Sequence, residues 1–183
     1  GVKKLKTHVK LALVVREEEG HIRRYAHVGT GNYHSGTARI YEDLGVLTMH
    51  PEICADVASV FNDLTAATHT QKHHLMIVAP VTMRSRFVEL IRREANNAHE
   101  GRPSGIDAKM NQLQDREIID ELYLASQAGV PIRLVVRGLC CLKPGVPGLS
   151  DNIRVLSIVG RFLEHSRIYR FHNGGDPEYF IGS

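Results

Sequence analysis

The sequence predicts an α/β protein with mixed sheets covered by helices. Three observations carry this. Short β-branched and aliphatic runs alternate with stretches whose apolar residues recur at helical spacing. Glycine or proline punctuates many of the junctions. At 43% hydrophobic and 23% charged, 183 residues can bury one core, or two small ones sharing an interface.

Residues 9–15 and 22–28 are two β-rich runs, and Arg16-Glu17-Glu18-Glu19-Gly20 between them predicts a hairpin. Gly29-Thr30-Gly31-Asn32 breaks the pattern. Residues 51–64 set Ile53, Val57, Val60, Phe61 and Leu64 at helical spacing, with Pro51 where a helix start tolerates proline. Residues 66–73 are polar and aperiodic and read as a linker. Beyond it, residues 75–79 read as a strand and 81–97 as a helix with Phe87, Leu90 and Ile91 on one face. Residues 101–105 read as a loop and 106–110 as a strand. Asp115 caps a helix over 115–128, and Gly129 stops it. Residues 132–136 read as a strand, 138–150 as a loop containing Pro144 and Pro147, and 156–163 as a short helix. A second hairpin pairs 167–171 with 179–181 across Asn173-Gly174-Gly175-Asp176-Pro177.

Composition excludes several classes. Lys plus Arg is 23 against 20 for Asp plus Glu, a net charge of +3. That excess suits an anionic ligand but is far from a nucleic-acid-binding tail. The longest apolar runs, 11–15 and 75–80, are too short to span a bilayer, and no segment resembles a secretion signal. Cys54, Cys140 and Cys141 form no CxxC pair, which argues against a disulfide framework or a structural zinc site and points to a reducing cytoplasm. There is no GxxxxGK[ST] phosphate loop, no dinucleotide glycine fingerprint and no GxSxG elbow. The chain starts without Met and stops at Ile181-Gly182-Ser183 inside an apolar segment, so it reads as a piece of a longer protein.

One design occurs twice. His8-Val9-Lys10 precedes a predicted hairpin that ends in Gly29-Thr30-Gly31-Asn32; His165-Ser166-Arg167 precedes one that ends in Gly182-Ser183. Residues two apart in a strand share a face, so each His projects with its cation, and the Gly-[Thr/Ser] at the end of the partner strand is expected beside them. The grouping suits phosphate: a neutral imidazole is a nucleophile near pH 7, a cation offsets phosphate charge, and small residues let the backbone approach oxygens. Two such sets can face each other across one phosphoryl group. A lone His-x-Lys is commonplace and usually structural; the repetition is what raises it to a candidate.

The paired sets resemble the phospholipase D superfamily, and within it the polyphosphate kinase family. The segments that carry the resemblance are residues 5–10, 24–33 and 37–41, Arg137-Gly138-Leu139-Cys140-Cys141, Pro144-Gly145-Val146-Pro147-Gly148-Leu149-Ser150, and residues 158–167. It implies two phospholipase D-like lobes: the C-terminal part of the first over 1–72, hence incomplete, and most of the second over 73–183. It implies reversible transfer of the terminal phosphate of ATP to inorganic polyphosphate through a phosphohistidine, by a cytoplasmic, homo-oligomeric full-length protein. Membrane association stays open, and neither a nucleic-acid partner nor a transmembrane segment is expected. Residue by residue, it makes His8 the phosphorylated nucleophile and His165 the general acid, and it puts Tyr41, Arg137 and His165 against ATP. It puts Lys10, Asn32 and Arg167 on phosphate, and adds Lys109 and Arg154 as further phosphate contacts.

Magnesium is implied with ATP, with its protein contacts upstream of Gly1 and no metal ligands in this span. The isolated span is then expected to be inactive. The chain departs from the superfamily pattern in carrying Arg167 where Lys is usual, Val15 near a phospholipase Asp, and His34-Ser35-Gly36 in place of an Asn-Pro-Lys-like stretch. The alternative reading is a phospholipase D-like phosphodiesterase or nuclease, which passes the same intermediate to water. A non-enzymatic basic domain that merely binds anionic chains is the third.

Overall fold

The computed structural model describes residues 6–66 and 73–183, so most of the expected linker lies outside the described residues. In chain order, β1 (Leu11–Glu18) and β2 (His21–Gly29) form a hairpin, followed by the one-turn α1 (Ser35–Ala38), β3 (Tyr41–Glu42), β4 (Gly45–Thr48) and α2 (Pro51–Ala66). The remainder is α3 (Met83–His99), β5 (Ile106–Met110), α4 (Arg116–Gln127), β6 (Ile132–Val136), β7 (Ile153–Leu156), β8 (Leu163–Glu164), β9 (Arg167–Phe171) and β10 (Glu178–Gly182). An antiparallel sheet β1-β2-β4 belongs to the first half. A five-stranded mixed sheet, β10-β9-β5-β6-β7, belongs to the second. The α/β class expected from the sequence is what the chain adopts.

The first hairpin turns on two residues, not five. Glu19 (φ 52°) and Gly20 (φ 76°) both take positive φ, the conformation that matches strand twist in a two-residue turn, and Glu18 pairs with His21. Arg16, Glu17 and Glu18 are tolerated in β1 because most of its distal residues face solvent. Under the hairpin, α2 buries Cys54 and Val57 against Ala26, with Leu11, Leu13, Val28 and Phe61 around them.

The second core is larger. Leu90 and Ile91 of α3 and Ile119, Leu122 and Ala125 of α4 cover one face of the five-stranded sheet, against Ile106, Ala108, Ile132, Leu134 and Phe171. Each large aliphatic side chain so buried contributes about 1.5–3 kcal/mol. The Asp115 carboxylate accepts from Ile118 N–H at 3.2 Å and starts α4, and Gly129 at φ 94° ends it.

Two expectations fail. Residues 75–79 form no strand. The N–H groups of His74, Leu75 and Met76 are all taken by the buried Asp56 carboxylate at 2.7–2.9 Å, which leaves none of them for a sheet ladder. Residues 156–163 form no helix. Leu156, Ile158 and Val159 are exposed, Val159 by 89%, so the apolar stripe has no surface to pack on. The end of the segment is drawn instead into a parallel pair, Tyr41 with Leu163 and Glu42 with Glu164, which joins the two halves.

Candidate functional site

The two histidines face each other at this junction, with ring centroids 6.5 Å apart and planes tilted by 38°. Neither lies within a strand: His8 sits three residues before β1, and His165 between β8 and β9. The β3–β8 pair positions His165. Leu163 N–H donates to the Ile40 carbonyl at 2.7 Å, and the N–H groups of His165 and Ser166 donate to the Glu42 carbonyl at 2.9 and 3.0 Å. The same pairing places Tyr41 over His165, stacked at 4.6 Å and 25°.

Lys10 is buried and reaches back onto His8. Its Nζ lies 2.9 Å from Nδ1 and 3.1 Å from Nε2, and donates to the His8 carbonyl at 2.6 Å. Sequence spacing therefore pairs the His8 ring with its cation, but Arg167 turns to the His165 carbonyl and not to its ring, and the small residues exchange partners. Ser183, in the second half, places its Oγ 2.8 Å from Lys10 Nζ and 3.1 Å from His8 Nδ1. Thr30, in the first half, meets the His165 ring through its backbone. Its hydroxyl is engaged by Leu44 N–H at 2.8 Å and is not offered to the cleft. Gly31 is required where it stands, because a Cβ there would overlap the Asp43 carboxylate.

Burial and the neighbouring cations favour the neutral form of both imidazoles. Burial, then the charges of Lys10, Arg167 and Lys6, hold His8 below its ordinary value. Burial and Arg167 likewise lower His165, against a raising hydrogen bond to the Thr30 backbone. Nδ1 of His165 is buried without a partner among the described residues. Lys10 falls to about 8, through burial first and then Arg167 and Lys6.

Arg137 and Arg167 complete the cationic wall. Arg137 Nη1 donates to the Glu164 carbonyl at 2.9 Å and Arg167 Nη1 to the His165 carbonyl at 3.1 Å. The structure thus brings together His8, Lys10, Tyr41, Arg137, His165 and Arg167. Lys109 lies close by but is engaged: its Nζ pairs with Glu164 Oε2 at 2.6 Å and also donates to Ser166 Oγ. Arg154 stands apart, in register with Arg133 and Asp107 toward the other end of the sheet, lining a separate cavity of about 410 Å³. Asn32 follows Gly31 and its carbonyl accepts from His34 N–H at 2.8 Å. His34 itself caps α1.

Sequence reasoning missed Asn111, whose side chain meets both arginines. The available signal was its place just after β5, at the C-terminal edge of parallel strands where α/β sheets collect ligands. No group of three or more His, Cys, Asp or Glu among the described residues could hold a metal ion.

Comparison with known proteins bears on the chain's family and fold. Family profiles for the polyphosphate kinase C-terminal domain 1 and C-terminal domain 2 match residues 1–70 and 76–183. The chain is 57% identical over 183 residues to a polyphosphate kinase of Thermosynechococcus vestitus and 51% to one of Streptomyces coelicolor, covering 100% of this chain and 25% and 24% of those proteins. The crystal structure of polyphosphate kinase from Porphyromonas gingivalis superposes with a TM-score of 0.88 at 42% identity, over 98% of this chain and 30% of that one. The chain thus spans about a quarter of the length of the curated relatives it matches.

Proposed function

The chain belongs to the polyphosphate kinase family, and from that premise we propose that the intact protein moves the terminal phosphate of ATP reversibly onto inorganic polyphosphate, with His8 as the covalent carrier. The observation that carries this reading is the pair of neutral imidazoles 6.5 Å apart, bordered by Lys10, Arg137 and Arg167.

A ring nitrogen of His8 attacks the γ-phosphorus. The bond from that phosphorus to the β,γ-bridging oxygen breaks, and ADP leaves with the electron pair. A terminal oxygen of the polyphosphate chain then attacks the phosphohistidine, the P–N bond breaks, and the chain is one phosphate longer. Charge spreads over the three equatorial oxygens during each transfer, so fixed cations and positioning do most of the work. Lys10 and Arg167 hold the moving phosphoryl group, a task that the resemblance also assigns to Asn32. Arg137 and Tyr41 hold the nucleotide.

His165 starts neutral. It supports the departing oxygen with a ring N–H, because a phosphate oxygen leaving as ADP needs little protonation. Magnesium would accompany the nucleotide and offset phosphate charge, and its protein contacts are expected outside this span. The intact protein is read as a cytoplasmic homo-oligomer; among the described residues no helix is long and apolar enough to cross a membrane.

The test is rapid-quench labelling of the full-length protein with γ-labelled ATP, followed by peptide mapping. An acid-labile, base-stable label on the His8 peptide that chases into polyphosphate is the expected result. Phosphodiester hydrolysis with no ATP-derived label would move the protein to the hydrolytic branch of the superfamily.

A further inference from the structure

Arg137 and Arg167 approach the cleft from different elements, just after β6 and at the start of β9, yet they share one partner. With its amide oriented by those partners, the Asn111 side-chain oxygen accepts from Arg167 Nη2 at 2.7 Å and from Arg137 Nη2 at 3.1 Å. Among the described residues, these two guanidinium groups also donate to the carbonyls of Glu164 and His165. Among the described residues no carboxylate is within ion-pair distance of either. The Glu164 carboxylate, next to His165 in the chain, is turned onto Lys109 at 2.6 Å. Burial and the Arg137 charge lower Arg167 from its ordinary value, as expected for two cations held close without a counter-ion.

We propose that Asn111 is a charge-neutral positioning residue: it fixes two arginines side by side while leaving their full charge for phosphate. Two neighbouring arginines would normally be tied by an Asp or Glu, whose bidentate geometry suits guanidinium well. A carboxylate here would neutralise the wall and repel an incoming phosphate chain. An amide oxygen gives the same orientation with no formal charge. The Asn111 backbone is anchored independently, its carbonyl accepting from Gly138 N–H at 2.8 Å, so the side chain can change without releasing the loop. Lys109 serves the same arrangement by withdrawing the Glu164 carboxylate from Arg137.

The inference rests on the phosphotransfer reading for its substrate, but it can be tested without chemistry. Asn111→Asp is nearly isosteric and adds only charge. In the full-length protein it is expected to leave the melting temperature unchanged or raised, because the new carboxylate pairs with two arginines. At the same time it should weaken inorganic tripolyphosphate binding, followed by calorimetry, and lower kcat/KM for ATP, each by about tenfold or more. Asn111→Ala, which releases the arginines without neutralising them, should lose less binding than Asn111→Asp and gain no stability.

Wild-type tripolyphosphate affinity in Asn111→Asp overturns the proposal. So does a parallel loss of stability and binding in both variants, since that marks a structural role only. Failure of the function reading looks different: no ATP-derived label on wild-type His8, with the charge-dependent difference in tripolyphosphate binding intact.

Discussion

The two His-x-cation sets are equivalent in sequence and unequal in surroundings. His8 is gripped by its own Lys10 and by Ser183 from the other half, with Lys10 touching both ring nitrogens and the backbone. His165 is more deeply buried, lies under the Tyr41 ring, and leaves Nδ1 unpartnered among the described residues. Its own cation, Arg167, turns to the His165 carbonyl and to Asn111 and not to the ring. A repeat therefore does not make two copies of one function. The ring set against a mobile-charge lysine is equipped to take and hold phosphate; the ring clamped beneath an aromatic is equipped to stay put.

That asymmetry can be broken outright. His8→Ala should abolish both labelling from ATP and polyphosphate synthesis, since the covalent route is gone. His165→Ala should slow labelling of His8 by about 10²-fold or more yet leave it detectable by rapid quench. Label found on the peptide containing His165 in the wild-type protein would reverse the two roles.

The pH profile sharpens the same contrast. His8 sits below its ordinary value, so the acid limb of kcat/KM for labelling should lie on the acid side of that of a free imidazole. Lys10 is depressed to about 8, so its cation is present below that pH and lost above it, and the rate should decline through pH 8–9. Lys10→Arg should remove the alkaline limb. A wild-type profile flat to pH 9.5 contradicts the role given to Lys10.

A smaller effect is expected at Tyr41. Tyr41→Phe keeps the stack on His165 and should be near wild type in labelling rate. Tyr41→Leu should cost about three- to tenfold, the worth of an aromatic pair. Equal losses in both would shift the role from the ring to the hydroxyl.

The smallest effect on chemistry, with a clear one on stability, belongs outside the pair. Burial alone would raise the Asp56 carboxyl, but the N–H groups of His74, Met76 and Leu75 and the His74 ring hold it below its ordinary value. Its stabilisation is therefore complete above the unfolded carboxyl value near 4 and is lost as pH falls through the lower folded one. Asp56→Ala should lower stability by about 3 kcal/mol at pH 7, by thermal melt, and the difference from wild type should shrink below pH 4.

Much of this was legible from the chain. Period-2 and period-3.6 patterns located β1, β2, β5, β6, β9, α2, α3 and α4 to within a few residues, because each has a face to bury. His8, Lys10, His165 and Arg167 stood out by repetition. What could not be read was whatever depended on a distant partner. Residues 75–79 look like a strand until the Asp56 carboxylate takes their N–H groups, and 156–163 look helical until no surface is found for Val159. The exchange of Thr30 and Ser183 between the two histidines needs the halves to be docked, and so does the sharing of Asn111. An asparagine carries no motif.

The two-residue pair of β3 with β8 is the smallest sheet among the described residues, and it joins the two halves beside the histidines. It works as a stitch. The backbone bonds from Leu163, His165 and Ser166 to Ile40 and Glu42 tie one wall to the other right beside the reactive groups, so the spacing of the two histidines is held by this short seam.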